Sequence, residues 1–415
     1  MFDYDSYLSG KLQQLKEAGS YRYFLEVNKS AQHFPHFYYS NEDGVQRSAI
    51  NWCSNDYLCM STQEEVIAKL GFITHRSGAG SGGTRNISGT TTHHKELEQT
   101  LAAWHEKDNA LLFAGAYLAN VTALQTLGRH IQDLIFISDE RNHASMIEGM
   151  RSVHHNRKLV FRHNDTDHLE EILASLPVET PKLVAFESIY SMKGTIAPLK
   201  KIIDLAKKYN ALTYVDEVHA VGLYGDTGSG MLRQQGLQQE VDIINGTLSK
   251  AIGVFGGYIA ASQTIIDFIR SFGSGFIFTT SIPPAICGAA NKSIQFIQQN
   301  PEYRASFHEN VQNLREALRQ NNVAFNHNQS HITSIPIGDA TRCREIAHRL
   351  LHAQGVYLQP INFPTVPKGE ECLRIIITSR HQPKHINHLA NSLKKVLHGN
   401  DTTDWKRFPA VSATD

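Results

Sequence analysis

Lys250 stands in GTLSKAIG (246–253), among side chains too small to shield its amine. A surface lysine gains nothing from such neighbours. An amine that must meet a bulky, flat, reactive partner needs them. Upstream, TYVDEVHAVGLYG (213–225) reads as an apolar strand ending in Asp216, with His219 at its exit. Alone, Asp216 suits a helix N-cap and His219 a polar loop equally well. The next apolar run, DIINGT, leads straight to Lys250, so carboxylate and amine leave the same edge of one sheet. That pairing suits pyridoxal phosphate: the lysine forms the Schiff base and the aspartate keeps the ring nitrogen protonated. A buried opposite charge favours the protonated ring, the stronger electron sink.

A phosphate needs donors, and FAGAYLAN (113–120) offers a strand, a glycine turn and a helix start. The free N–H groups near Ala116 and Tyr117 can hold an anion there. Thr247 adds a hydroxyl three residues before the lysine. His143, in ERNHASMIEG, sits where a flat ring could stack on the cofactor, although a loop histidine is more often a cap or solvated. GAGSGG (78–83) satisfies the dinucleotide pattern GxGxxG. That fingerprint needs a strand before it and a helix immediately after. TRNISGTTT follows instead, so the stretch reads as a glycine-rich loop that lets backbone approach a ligand.

These residues need a scaffold, and the chain supplies one. NALLFAG, DLIFIS, KLVFR, KLVAFES, ALTYVDE, DIINGT and GGYIAA read as seven buried strands, with helical patterns at 116–127, 165–176 and 199–209 between them. Near-continuous apolar runs separated by helices imply a mostly parallel sheet covered on both faces, with ligands at the strands' carboxyl ends. The expected organisation is an N-terminal arm (1–50, a helix plus an irregular or hairpin stretch), a large cofactor-binding domain (51–295), a small C-terminal α+β domain (296–400) and a mobile tail (401–415). Lys+Arg and Asp+Glu are both 40, so no net field argues for nucleic acid or a membrane surface. No apolar run approaches the roughly 20 residues that span a bilayer. MFDYDSYLSG has neither signal nor transit character, and the five scattered cysteines never form CxxC. Together these predict a cytoplasmic protein with reduced thiols and no metal site.

Long, ordered stretches carry a family resemblance: WCSNDYL, GAGSGGTRNISGT, SDERNHASMIEG, LVAFESIYSMKG, YVDEVHAVGLYG, GTLSKA, SGFIFTTSIPP and QPINFPTVPKG. Over residues 3–397 the chain resembles the α-oxoamine synthases, pyridoxal-phosphate enzymes of fold type I. NHASMIEG and QPINFPTVP are most similar to the aminolevulinate-forming branch. The resemblance implies that Lys250 bonds the cofactor, Asp216 meets the pyridinium, His219 bonds the phenolic oxygen and His143 stacks on the ring. It implies Glu187 and Ser188 at the active site, Asn55 positioning glycine, and Arg374 holding the glycine carboxylate. Thr84 matches a threonine that crowds out larger amino acids, and Arg22, Asn86, Ser138 and Thr365 match residues around the succinyl carboxylate. It further implies a homodimer with shared active sites, Thr280 lying near the partner's phosphate. The family pattern carries aspartate at Lys193, and glycine at Ser249 and Cys59.

The expected activity is condensation of glycine with succinyl-CoA to aminolevulinate, the first step of tetrapyrrole synthesis. Lys250 would serve as the base at the glycine α-carbon, its amine made basic at neutrality by a dry, cation-rich pocket. The same parts would also serve a sister synthase using another acyl-CoA or amino acid, or an aminolevulinate maker in secondary metabolism. A nicotinamide oxidoreductase built on GAGSGG would carry no yellow cofactor.

Overall fold

The computed structural model describes residues 2–41, 43–153 and 157–398. The expected tail, 401–415, lies outside them.

The seven apolar runs form one sheet, in the spatial order Asn109–Phe113, Gly257–Ala261, Ile243–Thr247, Ala211–Asp216, Lys182–Glu187, Ile135–Asp139 and Lys158–Phe161. Only Gly257–Ala261 runs antiparallel to its neighbours, so the sheet is mostly parallel, as the run pattern predicts. Alternate residues serve two separate apolar layers. Leu112, Val184, Phe186 and Ile244 pack on one face with Leu97, Leu101 and Ile202. Leu111, Phe113, Leu183 and Ile243 pack on the other with Ala123, Leu124 and Ile269. Each buried aliphatic or aromatic side chain contributes ~1.5–3 kcal/mol, so both faces of this sheet hold it rigid.

The helices expected at 116–127, 165–176 and 199–209 are Ala116–His130, Thr166–Ala174 and Leu199–Lys208. Asp165 precedes its helix because it is the N-cap, accepting from the His168 backbone at 2.9 Å. The N-terminal stretch is a helix, Tyr4–Glu17, and a hairpin of His36–Ser40 with Gln46–Asn51. Beyond the main sheet, Thr333–Pro336 and Pro360–Ile361 pair antiparallel with Cys372–Ile375. Val356–Tyr357 adds in parallel to Gln46–Asn51, joining the N-terminal arm to the C-terminal region. The apolar runs HITSIPI and CLRIIIT read as strands and contain Thr333–Pro336 and Cys372–Ile375, whereas the two-residue strands Val356–Tyr357 and Pro360–Ile361 carry no readable period.

Candidate active site

Strand register sets the first row of the site. Glu187 lies opposite Asp216 at the carboxyl ends of adjacent parallel strands, and Asp216 opposite Asn245 on the next. Asp216 is 4% exposed. Its carboxylate accepts from Asn120 Nδ2 at 2.8 Å, Asn245 Nδ2 at 3.1 Å and the Val218 backbone at 2.9 Å. Three N–H donors hold the anion in place without a neutralising ion pair among the described residues, leaving its charge for another group. Asp216 also presses on Glu187, whose carboxyl burial and this like charge raise well above the usual range.

Lys250 lies on the turn that follows Ile243–Thr247. Its Nζ makes no hydrogen bond among the described residues. Burial lowers the amine to about 8; Asp216 pulls it back up, Arg374 pushes it down and Glu187 raises it. A desolvated amine beside an unneutralised carboxylate fits an aldehyde carried on a ring with a protonated nitrogen, which is the arrangement pyridoxal phosphate requires.

Two histidines flank this pair. His143 is the N-cap of Ala144–Arg151, and its Nδ1 lies 2.7 Å from Ser145 Oγ. Ser145 Oγ accepts in turn from Asn120 Nδ2 at 2.9 Å, so one chain of hydrogen bonds runs from Asp216 through Asn120 and Ser145 to His143. Burial lowers the His143 pKa; Asp216 opposes this and Lys250 adds to it. His219 is driven well below its usual value by burial, then by Lys250 and Arg374, so its ring is neutral. Its Nδ1 lies 3.0 Å from the Tyr57 hydroxyl, which accepts from Arg374 Nη2 at 3.2 Å. The Tyr57 hydroxyl thus joins His219 and Arg374 in one hydrogen-bonded group.

The anion cradle begins where Gly115 opens into Ala116–His130 with no side-chain cap on the first turn. A Cβ on Gly257 would lie 2.1 Å from the Ala116 backbone nitrogen, so only glycine lets the neighbouring strand approach this helix start. Tyr117 is half exposed and meets His143 edge-on at 6.3 Å. Thr247 Oγ1 lies 2.8 Å from Ser249 Oγ, so the serine beside the lysine extends the hydroxyl pair.

The remaining expected residues fall into separate groups. Arg374, on Cys372–Ile375, reaches the Lys250 cluster through Tyr57, and its Nε is buried without a partner. The Tyr57 hydroxyl also donates to Asn55 Oδ1 at 3.4 Å. Ser188 turns its hydroxyl to the buried Glu217 at 3.0 Å. Ser138, one residue before the end of Ile135–Asp139, accepts from Asn142 Nδ2 at 2.9 Å. Arg22 Nη2 donates to Thr365 Oγ1 at 3.4 Å, bringing those two together across 343 residues. Thr84 and Asn86 pair at 2.7 Å, and Thr84 bridges the exposed Thr280. No hydrogen bond among the described residues links these last two groups to Lys250. The GAGSGG loop follows Glu64–Ser77 and leads to a helix beginning only at Thr92, which excludes the dinucleotide fingerprint.

Sequence reasoning missed Asn120, Asn245, Ser145 and Tyr57. Asn120 and Asn245 each carried a signal: a polar residue inside an apolar run, AYLANV and DIINGT.

The geometry fits pyridoxal phosphate at the carboxyl edge of a mostly parallel sheet, and the comparisons name the same cofactor. The model of the family "Aminotransferase class I and II" matches residues 47–393. The chain is 46% identical, over 94% of its length and 96% of the relative's, to the 5-aminolevulinate synthase of Paracoccus denitrificans. It is 43% identical, over 95% of its length and 67% of the relative's, to the erythroid-specific mitochondrial enzyme of Bos taurus. A serine palmitoyltransferase from S. paucimobilis, solved with bound PLP–myriocin aldimine, superposes with a TM-score of 0.86 at 29% identity, covering 95% of this chain and 98% of that one. The chain belongs to the class I and II aminotransferase family and, within it, to the 5-aminolevulinate synthases. Its cofactor is pyridoxal phosphate, and its fold is the type I fold of these enzymes.

Proposed function

We infer that this protein condenses glycine with succinyl-CoA to give 5-aminolevulinate, coenzyme A and carbon dioxide. The observation that carries the reading is the buried Lys250–Asp216–His219 arrangement, set in a chain 46% identical to a synthase of that name. Asp216 would hold the ring nitrogen, His219 the phenolic oxygen, and the Ala116–Tyr117 turn the phosphate, with Thr247 beside it and His143 against the ring. The bound cofactor supplies an electron sink for the pair left when a proton leaves the glycine α-carbon.

Lys250 Nζ, with its amine at about 8, is the base that takes this proton and later returns one. At pH 7 roughly one chain in ten carries it neutral, against fewer than one in a thousand for an ordinary lysine. Arg374 pairs with the glycine carboxylate and is kept in line by Tyr57, while Asn55 lies beside that tyrosine. Thr84 narrows the amino-acid pocket. Arg22, Thr365, Asn86 and Ser138 receive the carboxylate of the succinyl tail, for which an arginine with hydroxyl partners is the expected chemistry. Burial, with the like charge of Asp216 beside it, raises the Glu187 carboxyl well above the usual range.

A homodimer with shared sites suits the same chain. Helix Tyr4–Glu17 buries none of its residues, and Ile87 and Phe278, near Thr84 and Thr280, are 81% and 79% exposed. Apolar surface of this kind calls for a partner, and a second copy would bring Thr280 to its phosphate. The division at 50, 295 and 400 and a cytoplasmic location belong to this reading, the latter supported by five free cysteines.

Purified protein given glycine with succinyl-CoA, acetyl-CoA or a long-chain acyl-CoA tests the proposal. Aminoketone from succinyl-CoA alone is the expected result. Product from another acyl-CoA only would overturn the substrate assignment.

A further inference from the structure

Three loops that carry proposed site residues converge on one carboxylate. Glu370 accepts from both Arg141 Nη1 at 3.1 Å and Arg141 Nη2 at 3.2 Å, and it meets Lys193 Nζ at 2.9 Å. Arg141 lies two residues before His143, its backbone fixed by Asp139 Oδ1 at 2.8 Å. Lys193 lies on the turn after Ser188, closed by the bridge between Ile189 and Ile196. That turn is fastened from behind: Asn328 Nδ2 donates to the Lys193 carbonyl at 2.9 Å. Gly194 has φ +69°, and a Cβ there would sit 2.7 Å from Ser330 Oγ, so no larger residue fits. Glu370 itself lies between Thr365 and Arg374, five residues after one and four before the other.

We propose that Arg141, Lys193 and Glu370 form an ionic clamp that positions the Thr365–Glu370 loop, and through it the acyl-carboxylate pocket, against the rigid sheet edge. The inference rests on the functional reading above. Two of the three attachment points are immobile. His143 caps a helix anchored by buried Ser145, Met146, Gly149 and Met150, and the Lys193 turn is locked onto residues 328–332. The third, the Thr365–Glu370 loop, is mostly exposed and has few other anchors, so the clamp supplies what packing does not. Two cations on one carboxylate hold Glu370 ionised, Arg141 contributing most, at about 2. An aspartate at Lys193 would turn one of these attractions into a repulsion, so Lys193 tunes the loop as well as holding it. These are positioning residues: they touch the loop that carries Thr365, not the substrate.

The test is a double-mutant cycle of Lys193→Met, Glu370→Gln and both together, on the holoenzyme. It reads KM for each substrate and hydrogen exchange of the peptide spanning 360–371 without substrate. Glu370→Gln should speed exchange in that peptide and raise the succinyl-CoA KM roughly threefold or more, with the glycine KM unchanged within twofold. Adding Lys193→Met to Glu370→Gln should change little, because the clamp is already open. Multiplicative effects, equal rises in both KM values, or unchanged exchange would overturn the clamp. Should Glu370→Gln fail to fold, Lys193→Met at a 40% exposed side chain carries the same readouts. If the wild-type protein ignores succinyl-CoA, the functional reading fails while the exchange result still decides the clamp.

Discussion

The surroundings of Asp216 and those of Arg22 are built in opposite ways. Asp216 is buried, with three donors on its carboxylate, and reaches Tyr214, Ser145 and His143 through the two ends of one asparagine. Arg22 and Thr365 are both exposed and share a single 3.4 Å contact between two loops. The first region sits at the end of a sheet packed on both faces, where a displaced polar atom loses all its partners at once. The second can shift with little cost. Electrostatic catalysis needs groups fixed before the reaction begins, whereas an acyl pocket must open to admit and release coenzyme A. On that physical ground the proposed function divides between the regions: bond-making chemistry on strands, choice of acyl group on loops.

This contrast can be broken in several places. Lys250→Ala should leave the fold intact and reduce aminolevulinate formation by ~10³-fold or more, since base and covalent attachment go together; steady-state turnover measures it. Asp216→Asn keeps the shape and removes the charge, and turnover should fall by ~10²-fold. Asn120→Ala lies outside any direct contact with substrate, yet it strips Asp216 of a donor and Tyr214 of an acceptor. It should weaken pyridoxal phosphate binding by roughly 10-fold or more, read by fluorescence titration. Arg22→Leu should have the smallest and most selective effect, raising the succinyl-CoA KM by about 10-fold with the glycine KM nearly constant. If Arg22→Leu proved as damaging as Asp216→Asn, or shifted both KM values alike, the division between the two regions would not hold.

The sheet was legible in the sequence because its strands are near-continuous apolar runs, and because parallel topology delivers their last residues to one edge. Asp216, His219 and Lys250 follow from that alone. Asn120 and Tyr57 do not. Asn120 reaches Asp216 across 96 residues, and Tyr57 meets His219 across 162 and Arg374 across 317. Such contacts are set by how layers pack, and no local period encodes them. The two-residue strands Val356–Tyr357 and Pro360–Ile361 escaped for a related reason, since each exists only through its partner strand. The acyl-pocket residues rested on resemblance because exposed loops leave no pattern of burial to read.

The central claim is that Lys250 is the amine bonded to the cofactor and that burial keeps it reactive near neutrality. In the unfolded chain this lysine holds its proton to about 10.4; in the fold it releases it near 8. Between those values the unfolded state binds more protons, so stability of the cofactor-free protein rises with pH across that window. Cofactor capture, which needs the free amine, should rise with a midpoint near 8. The direct measurement is borohydride reduction of protein loaded with pyridoxal phosphate over a series of pH values, followed by peptide mapping. A single reduced adduct on Lys250, its yield climbing through pH 8, is the predicted result. An adduct on another lysine, or a midpoint near that of an ordinary amine, would contradict the account.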